Sequence, residues 1–381
     1  MSDHDIDVAI VGAGPAGARA AYGLARRGAR VTIFDPSHPR EKPCGGGVTG
    51  RALALVEDAI DAARLPRTTI RSARFLAAGA ANATTVLDDD ALVVASRAAF
   101  DAAMLDAAIR AGAVLERARV TDVTADASGA HLATTAGARR AALVVGADGA
   151  NSLVRRRVSA AFRRDQLTIA TGFFAHGVTN DEIVIEFSAD PPGYIWSFPR
   201  PDHLAIGVCA QAGTVTPARL RRRVARWIAE TGIARGARLE PYSWPIPSLG
   251  PRDLSTAQVS GRGWALAGDA AGLVDPITRE GIYFAMASGG WLADALAAGA
   301  VDRYAERVRD EALPELVRAA RLEAGFFRPA FIALLLRGLA ESAAIRAVMA
   351  DLIAGRQPYA TLRWRLIKTL EVGLLWRALT A

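Results

Sequence analysis

The run Asp7-Val-Ala-Ile-Val breaks at Gly12-x-Gly14-x-x-Gly17 and continues into a helical stretch to about Arg27. Few folds accept that order. Gly12 permits a tight turn after a buried strand, Gly14 lets backbone amides approach a pyrophosphate, and Gly17, next to Ala16, allows a helix to pack closely on the strand. A second apolar strand over residues 30–34 ends at Asp35, the distance downstream at which a carboxylate takes ribose hydroxyls. The plain alternative is a glycine-rich turn that holds no ligand.

Nicotinamide and flavin enzymes share this fingerprint, so the kind of dinucleotide must come from elsewhere in the chain. Residues 264–267 read as a short strand, Gly268-Asp269 as a turn with an acid at its mouth, and Gly281 onward as a helix. Asp269 can accept hydrogen bonds from a ribityl chain, which nicotinamide dinucleotides lack. The turn Arg279-Glu280-Gly281-Ile282 aims helix N-terminal amides at the flavin edge that becomes negative on reduction. The competing reading is an ordinary strand, turn and helix with a capping Asp. Residues 143–155 repeat the pattern, with the turn at Asp148-Gly149, and three such turns are expected at one end of a parallel sheet. Arg97 opens a helix to about Ala111, where it either holds a phosphate or lies exposed on the helix surface.

Four stretches carry a family resemblance: the N-terminal GxGxxG, Pro43-Cys44-Gly45-Gly46-Gly47, Pro192-Gly193-Tyr194-Ile195-Trp196-Ser197-Phe198-Pro199, and Gly268-Asp269 through Gly281-Ile282. The chain resembles the geranylgeranyl reductase family, in the aromatic-hydroxylase-like branch of the glutathione-reductase-type FAD fold. The resemblance implies bound FAD, with Pro276 joining the turns above at the cofactor surface. It also implies NAD(P)H or another reductant as electron donor, and a lipophilic isoprenoid substrate in an aromatic-walled pocket. One departure stands out: many family members have Gly before the Glu280-Gly281 pair, and here Arg279 occupies that place.

Three consecutive glycines in the PCGGG loop carry a large backbone-entropy cost, so something flat or close is expected against them, such as one face of an isoalloxazine ring. Cys44 would then stand near a reacting carbon, where a thiol delivers a proton or orients a water that does. The alternative is a small buried hydrophobe. Tyr194, Trp196 and Phe198 alternate with Ile195 and Ser197, placing three aromatics on one strand face, as core or as pocket wall. Residues 203–209 are expected to pair with that strand as a hairpin.

A chain of 381 residues holds an α/β architecture with ample core. The expected plan is a discontinuous Rossmann-type FAD-binding domain at 1–50, 92–155 and 256–300, an inserted mixed or antiparallel-sheet substrate domain at 51–91 and 156–255, and a helical C-terminal region at 301–381. The acidic start has no secretory pattern, and two cysteines are too few for a disulfide framework, so a reducing, cytoplasmic compartment is expected. The five histidines are scattered without metal-ligand spacing.

The net charge of +7 is carried almost wholly by dispersed arginines without a nucleic-acid motif, which argues against nucleic acid as a partner. Near the C-terminus, apolar clusters at 326–327, 331–336 and 366–376 alternate with Arg328, Arg337, Arg363, Arg365, Lys368 and Arg377. Such helices either lie peripherally on the inner face of a membrane or form a lid with a solvated basic face.

The leading expectation is therefore an FAD-dependent oxidoreductase that reduces carbon–carbon double bonds of a prenyl chain, with Cys44, Tyr194 and Trp196 at the reacting end. An FAD-dependent monooxygenase and a non-enzymatic electron-transfer or redox-sensing flavoprotein are the alternatives, because fold does not settle reaction.

Overall fold

The computed structural model describes residues 6–77 and 82–369. Its first sheet has a parallel core. Strand Ile6–Val11 lies between Val31–Phe34 and Gly137–Gly146, and Trp264–Leu266 adds to the far side of Gly137–Gly146. Ile6–Val11, Val31–Phe34, Trp264–Leu266 and the last three residues of Gly137–Gly146 are largely buried and rich in Val, Ile, Leu and Ala, as strands covered on both faces must be. In register, Val11 pairs with Phe34 and Gly146, and Gly146 with Leu266. The four strands thus end in one row, and the Gly12, Asp35, Asp148 and Asp269 turns leave from it.

Helix Pro15–Ala25 covers this sheet and packs on Ile282–Ala297. The approach depends on small residues: a Cβ at Gly23 would lie 2.7 Å from Ala293 Cβ, and one at Gly289 would lie 2.5 Å from the Ala16 carbonyl oxygen.

The second sheet has seven strands and is mixed. Strands Arg238–Pro247, Leu167–His176, His203–Gln211, Pro192–Pro199 and Glu182–Ala189 run antiparallel in that order, and Ser72–Ala77 joins parallel to Glu182–Ala189. The hairpin between Pro192–Pro199 and His203–Gln211 forms as its alternation predicts. Ile195, Leu204, Ile206 and Val208 pack under helix Pro217–Thr231 through Leu220, Val224 and Trp227. On the other face, Phe75, Ile183 and Phe187 meet Phe327, Ile332, Leu336 and Met349 of the C-terminal helices. None of the helices among the described residues is long and apolar enough to cross a membrane. Part of the apolar cluster at 366–376, with Arg377, lies outside the described residues.

Candidate flavin and substrate site

A single cavity of about 1890 Å³ runs from the row of turns on the parallel sheet, past the aromatic strand, to the C-terminal helices. Its first part is a dinucleotide cradle. Gly12 has φ 104°, and a Cβ there would lie 2.4 Å from the Ala147 carbonyl oxygen, so the turn is closed to other residues. A Cβ on Gly17 would meet the Gly12 oxygen at 2.0 Å, whereas one on Gly14 would meet nothing within 4 Å. Gly14 therefore borders open space. The N-terminus of Pro15–Ala25 has no side-chain cap and no acid in its first turn, leaving its amides free for an anion.

Asp35 accepts from the Ala13, Ser37 and His38 amides at 3.0, 2.9 and 2.9 Å. Burial opposes its charge, but the His38 ring and these amides outweigh burial and hold the carboxyl well below its usual range. Asp148 instead caps the next helix, accepting from Ser152 Oγ at 2.5 Å and the Leu153 amide at 2.6 Å, and burial raises its pKa. Asp269 is different. Among the described residues no donor hydrogen-bonds its carboxylate, burial raises its pKa, and the positive fields of Lys42 and Arg97 oppose that rise. A Cβ on Gly281 would lie 3.2 Å from Asp269 Oδ1, so glycine there keeps the acid against the uncapped N-terminus of Ile282–Ala297. An open phosphate turn, an unpartnered carboxylate and a free helix N-terminus together fit FAD.

Gly12, Gly14, Ala16, Asp35, Asp148, Gly149, Asp269, Gly281 and Ile282 all line the cavity, together with Cys44, Gly45, Gly46, Gly47 and Arg97. Gly17, Gly268 and Pro276 do not. Gly17 serves helix packing, and Gly268, at φ 58°, donates its amide to Ser288 Oγ at 3.0 Å. Pro276 is buried in the loop that Asp275 closes by accepting from the Ile277 and Thr278 amides.

The structure decides between the two readings of Arg97 and gives the glycine loop a neighbour from the protein itself. Arg97 is not an exposed helix-surface residue: its fork closes on Asp101 at 3.0 and 2.9 Å, one turn along, and its remaining arm reaches Cys44 Sγ at 3.4 Å. The flat group against the glycine loop is, on one side, a protein ring. Cβ atoms at Gly45 and Gly47 would meet Phe198 at 3.0 and 3.2 Å, and one at Gly46, φ 84°, would lie 2.7 Å from the Ala95 oxygen.

A buried network positions that loop. Arg200 is fully buried and pairs with Glu41, while also donating to the Lys42 carbonyl at 3.2 Å and the Cys44 carbonyl at 2.5 Å. Glu41 in turn accepts from Ser96 Oγ at 2.9 Å and the Arg97 amide at 3.0 Å, placing an anion at the start of helix Arg97–Arg110. Beside it, His38 Nε2 is 2.8 Å from Asp101; burial disfavours its charge, but Asp101 and Asp35 outweigh that and raise its pKa.

Beyond the loop the walls are mostly apolar. Tyr194, Trp196 and Phe198 line the cavity with Ala170, Cys209 and Ile246, and Tyr194 donates its hydroxyl to the Thr278 carbonyl at 2.7 Å. Arg279 forms part of this wall. Among the described residues it is the one non-glycine with positive φ, 60°, and its largely buried guanidinium holds Ser248 Oγ and Glu323 Oε1, the latter at 3.0 Å. Glu41, Arg200, His38 and Asp101 were missed from the sequence. Asp101 at i+4 from Arg97 and Arg200 directly after the PGYIWSFP stretch were the available signals.

A dinucleotide cradle opening onto an apolar cavity defines the class: an FAD-dependent oxidoreductase. The chain belongs to the FAD binding domain family, whose pattern matches residues 5–301, and within that fold to the geranylgeranyl reductase family. It is 30% identical over 356 residues to the digeranylgeranylglycerophospholipid reductase of Methanothrix thermoacetophila, covering 84% of this chain and 88% of that one. The menaquinone reductase of Mycolicibacterium smegmatis is 29% identical over 320 residues, 78% of each chain. The solved structure of a geranylgeranyl bacteriochlorophyll reductase-like protein from Thermoplasma acidophilum shares the fold with a TM-score of 0.78 at 20% identity, over 96% of this chain and 99% of that one. A flavin-dependent brominase, Bmp2, also shares it, with a TM-score of 0.70 at 21% identity over 95% and 98% of the two chains, so the fold alone leaves the reaction open.

Proposed function

We propose that this protein reduces carbon–carbon double bonds of a prenyl chain carried on a lipid, quinone or pigment precursor. The observation that carries the reading is the continuity of the cavity: it passes from the Asp269 cradle, along Tyr194, Trp196 and Phe198, to apolar side chains of the C-terminal helices such as Phe326, Leu335 and Met349. That shape suits a long flexible hydrocarbon entering end-on toward the flavin. The names of the two relatives, one a phospholipid reductase and one a menaquinone reductase, agree with substrates of this kind.

In this reading residues 1–50, 92–155 and 256–300 form the cofactor-binding part, 51–91 and 156–255 the substrate-binding part, and 301–381 the C-terminal helical region, whose described portion would cover the substrate. Gly12, Gly14 and Ala16 would hold the pyrophosphate, Asp35 a ribose, and Asp269 with the Gly281-Ile282 amides the ribityl chain and flavin edge. Reduced FAD supplies a hydride when bound, its electrons coming from NAD(P)H or another reductant. The aromatic wall excludes water from the acceptor carbon and contributes cation–π attraction of order ~1–2 kcal/mol as positive charge develops on an isolated alkene. Cys44, held beside Arg97 and Arg200, would deliver the proton or orient a water that does.

Anaerobic reoxidation of the reduced protein by geranylgeranyl compounds is the direct test. Reoxidation with a product heavier by two hydrogens is expected. Failure with every such compound, alongside turnover with other acceptors, removes the proposal; substrate-stimulated oxygen uptake into a product would replace it with hydroxylation.

A further inference from the structure

Two cations on the cavity wall share one indole and, among the described residues, close on no carboxylate. The Arg40 guanidinium carbon and Lys42 Nζ each lie 5.4 Å from the centroid of the Trp244 indole, and all three residues line the cavity. Trp244 belongs to the edge strand Arg238–Pro247, where it pairs with Ala170, so the indole is fixed by the sheet. Glu41, between the two cations in sequence, is committed to Arg200, Ser96 and the Arg97 amide. Arg97 is closed on Asp101.

Among the described residues neither Arg40 nor Lys42 forms an ion pair, and Arg40 Nε is buried without a hydrogen-bond partner. Burial and the positive fields of Arg97 and Arg40 lower the Lys42 pKa, outweighing the opposing fields of Asp101, which is closed on Arg97, and Asp269. An indole face attracts a cation through its quadrupole but carries no net charge, so it does not replace a counter-ion. Two like charges drawn together in partly desolvated space are unfavourable until an anion completes the group. FAD's own pyrophosphate already has donors at the Gly12–Gly17 turn and the uncapped helix behind it.

We propose that Arg40 and Lys42, held on Trp244, form a second phosphate-binding site that receives the diphosphate of a ligand entering the cavity beside FAD. Two ligands bring that chemistry: a reduced nicotinamide dinucleotide, and a prenyl diphosphate. The site stands whether or not the protein reduces prenyl chains, because the dinucleotide arm does not depend on the carbon acceptor.

The test is calorimetric titration of the full-length, FAD-loaded protein with NADPH, geranylgeranyl diphosphate and phosphate-free geranylgeraniol. Two double variants accompany it: Arg40→Gln with Lys42→Gln, and the charge-keeping Arg40→Lys with Lys42→Arg. The Gln pair is expected to weaken at least one diphosphate ligand by tenfold or more, leaving geranylgeraniol unchanged and flavin absorbance intact, while the charge-keeping pair stays within threefold of the parent. Loss confined to NADPH identifies the reductant as the source; loss confined to geranylgeranyl diphosphate identifies the substrate head. Three outcomes overturn the proposal: unchanged affinity for both ligands in the Gln pair, no binding of either by the unaltered protein, or release of FAD by the Gln pair with retention by the charge-keeping one, which assigns the cations to the cofactor cradle.

Discussion

Asp269 shows how a single side chain connects sequence to cofactor. A carboxylate without a hydrogen-bond donor in a largely enclosed place costs free energy unless something arrives to bond it. In the proposed site, a ribityl hydroxyl beside the Gly281 turn would be that donor. Asp269→Ala is expected to lower the FAD content of the purified protein by a factor of ten or more, corresponding to a charge-assisted hydrogen bond of about 1.5–3 kcal/mol; the flavin-to-protein absorbance ratio and the FAD dissociation constant check it, and unchanged values would remove the ribityl role. Arg279 poses the opposite problem, since a non-glycine residue in the left-handed region costs roughly 1–2 kcal/mol. Such strain survives where the side chain has work to do. Arg279→Gly relieves the backbone but surrenders Ser248 and Glu323, so the thermal midpoint should move by only a few degrees. Acceptor preference should move more, away from substrates bearing a carbonyl or carboxylate and toward plain hydrocarbons. Equal rates for both classes in variant and parent would reduce Arg279 to a tie between the flavin loop and the helix Leu313–Phe326.

At the scale of elements, the loop around Cys44 is held from three sides: the helix Arg97–Arg110, the aromatic strand Pro192–Pro199 through Phe198, and Arg200 just beyond that strand. Removing one partner from a buried ion pair leaves the other charge uncompensated, typically at a cost of about 3–5 kcal/mol. Arg200→Met should lie at the lower end of that range, because Glu41 keeps the Ser96 and Arg97 donors. Adding Glu41→Gln should restore part of the loss. Denaturant titration of the single and double variants measures both effects, and a double variant no better than the single one would mean that the carbonyl contacts of Arg200, not its charge, hold the loop. The same elements show what was legible beforehand. The parallel strands, their glycine turns and the aromatic hairpin follow from local patterns, because residues 7–17, 143–149 and 264–269 each carry strand and turn signals within a few positions. The Glu41–Arg200 pair and the His38–Asp101 contact join residues far apart in sequence, and nothing local announces which distant charge will answer which. The glycine triplet signals a close neighbour, but that one such neighbour is the Phe198 ring follows only from the folded sheet.

For the whole molecule, the remaining matter is how the proposed lipophilic substrate would reach a cavity in a protein whose described helices do not cross a membrane. Exposed large apolar side chains gather at the outer end of the cavity: Leu322, Phe331, Leu366 and Ile367 line it while also facing solvent, and Trp364 is 66% exposed beside them. Arg363 lines the same mouth, with Lys368 on the same helix Tyr359–Lys368, while Arg365 between them is paired with Asp351 at 2.5 Å. A rim of Trp and Leu among cations has the composition of a surface that rests in the headgroup region of an anionic bilayer, where basic residues each add about 1 kcal/mol near the surface. The membrane-facing reading therefore assigns this rim as the substrate entrance. Truncation is a poor test, because Tyr359 lines the cavity and donates its amide to Glu315 at 2.6 Å. Trp364→Ala is cleaner, since a side chain so exposed has little packing to lose. It should reduce cosedimentation with phosphatidylglycerol-containing vesicles several-fold while leaving flavin absorbance and the thermal midpoint unchanged, and added salt should weaken the binding of both proteins as surface electrostatics require. Binding that is equal for the two proteins would turn the rim into a lid over the cavity, and the substrate would then have to arrive by a carrier.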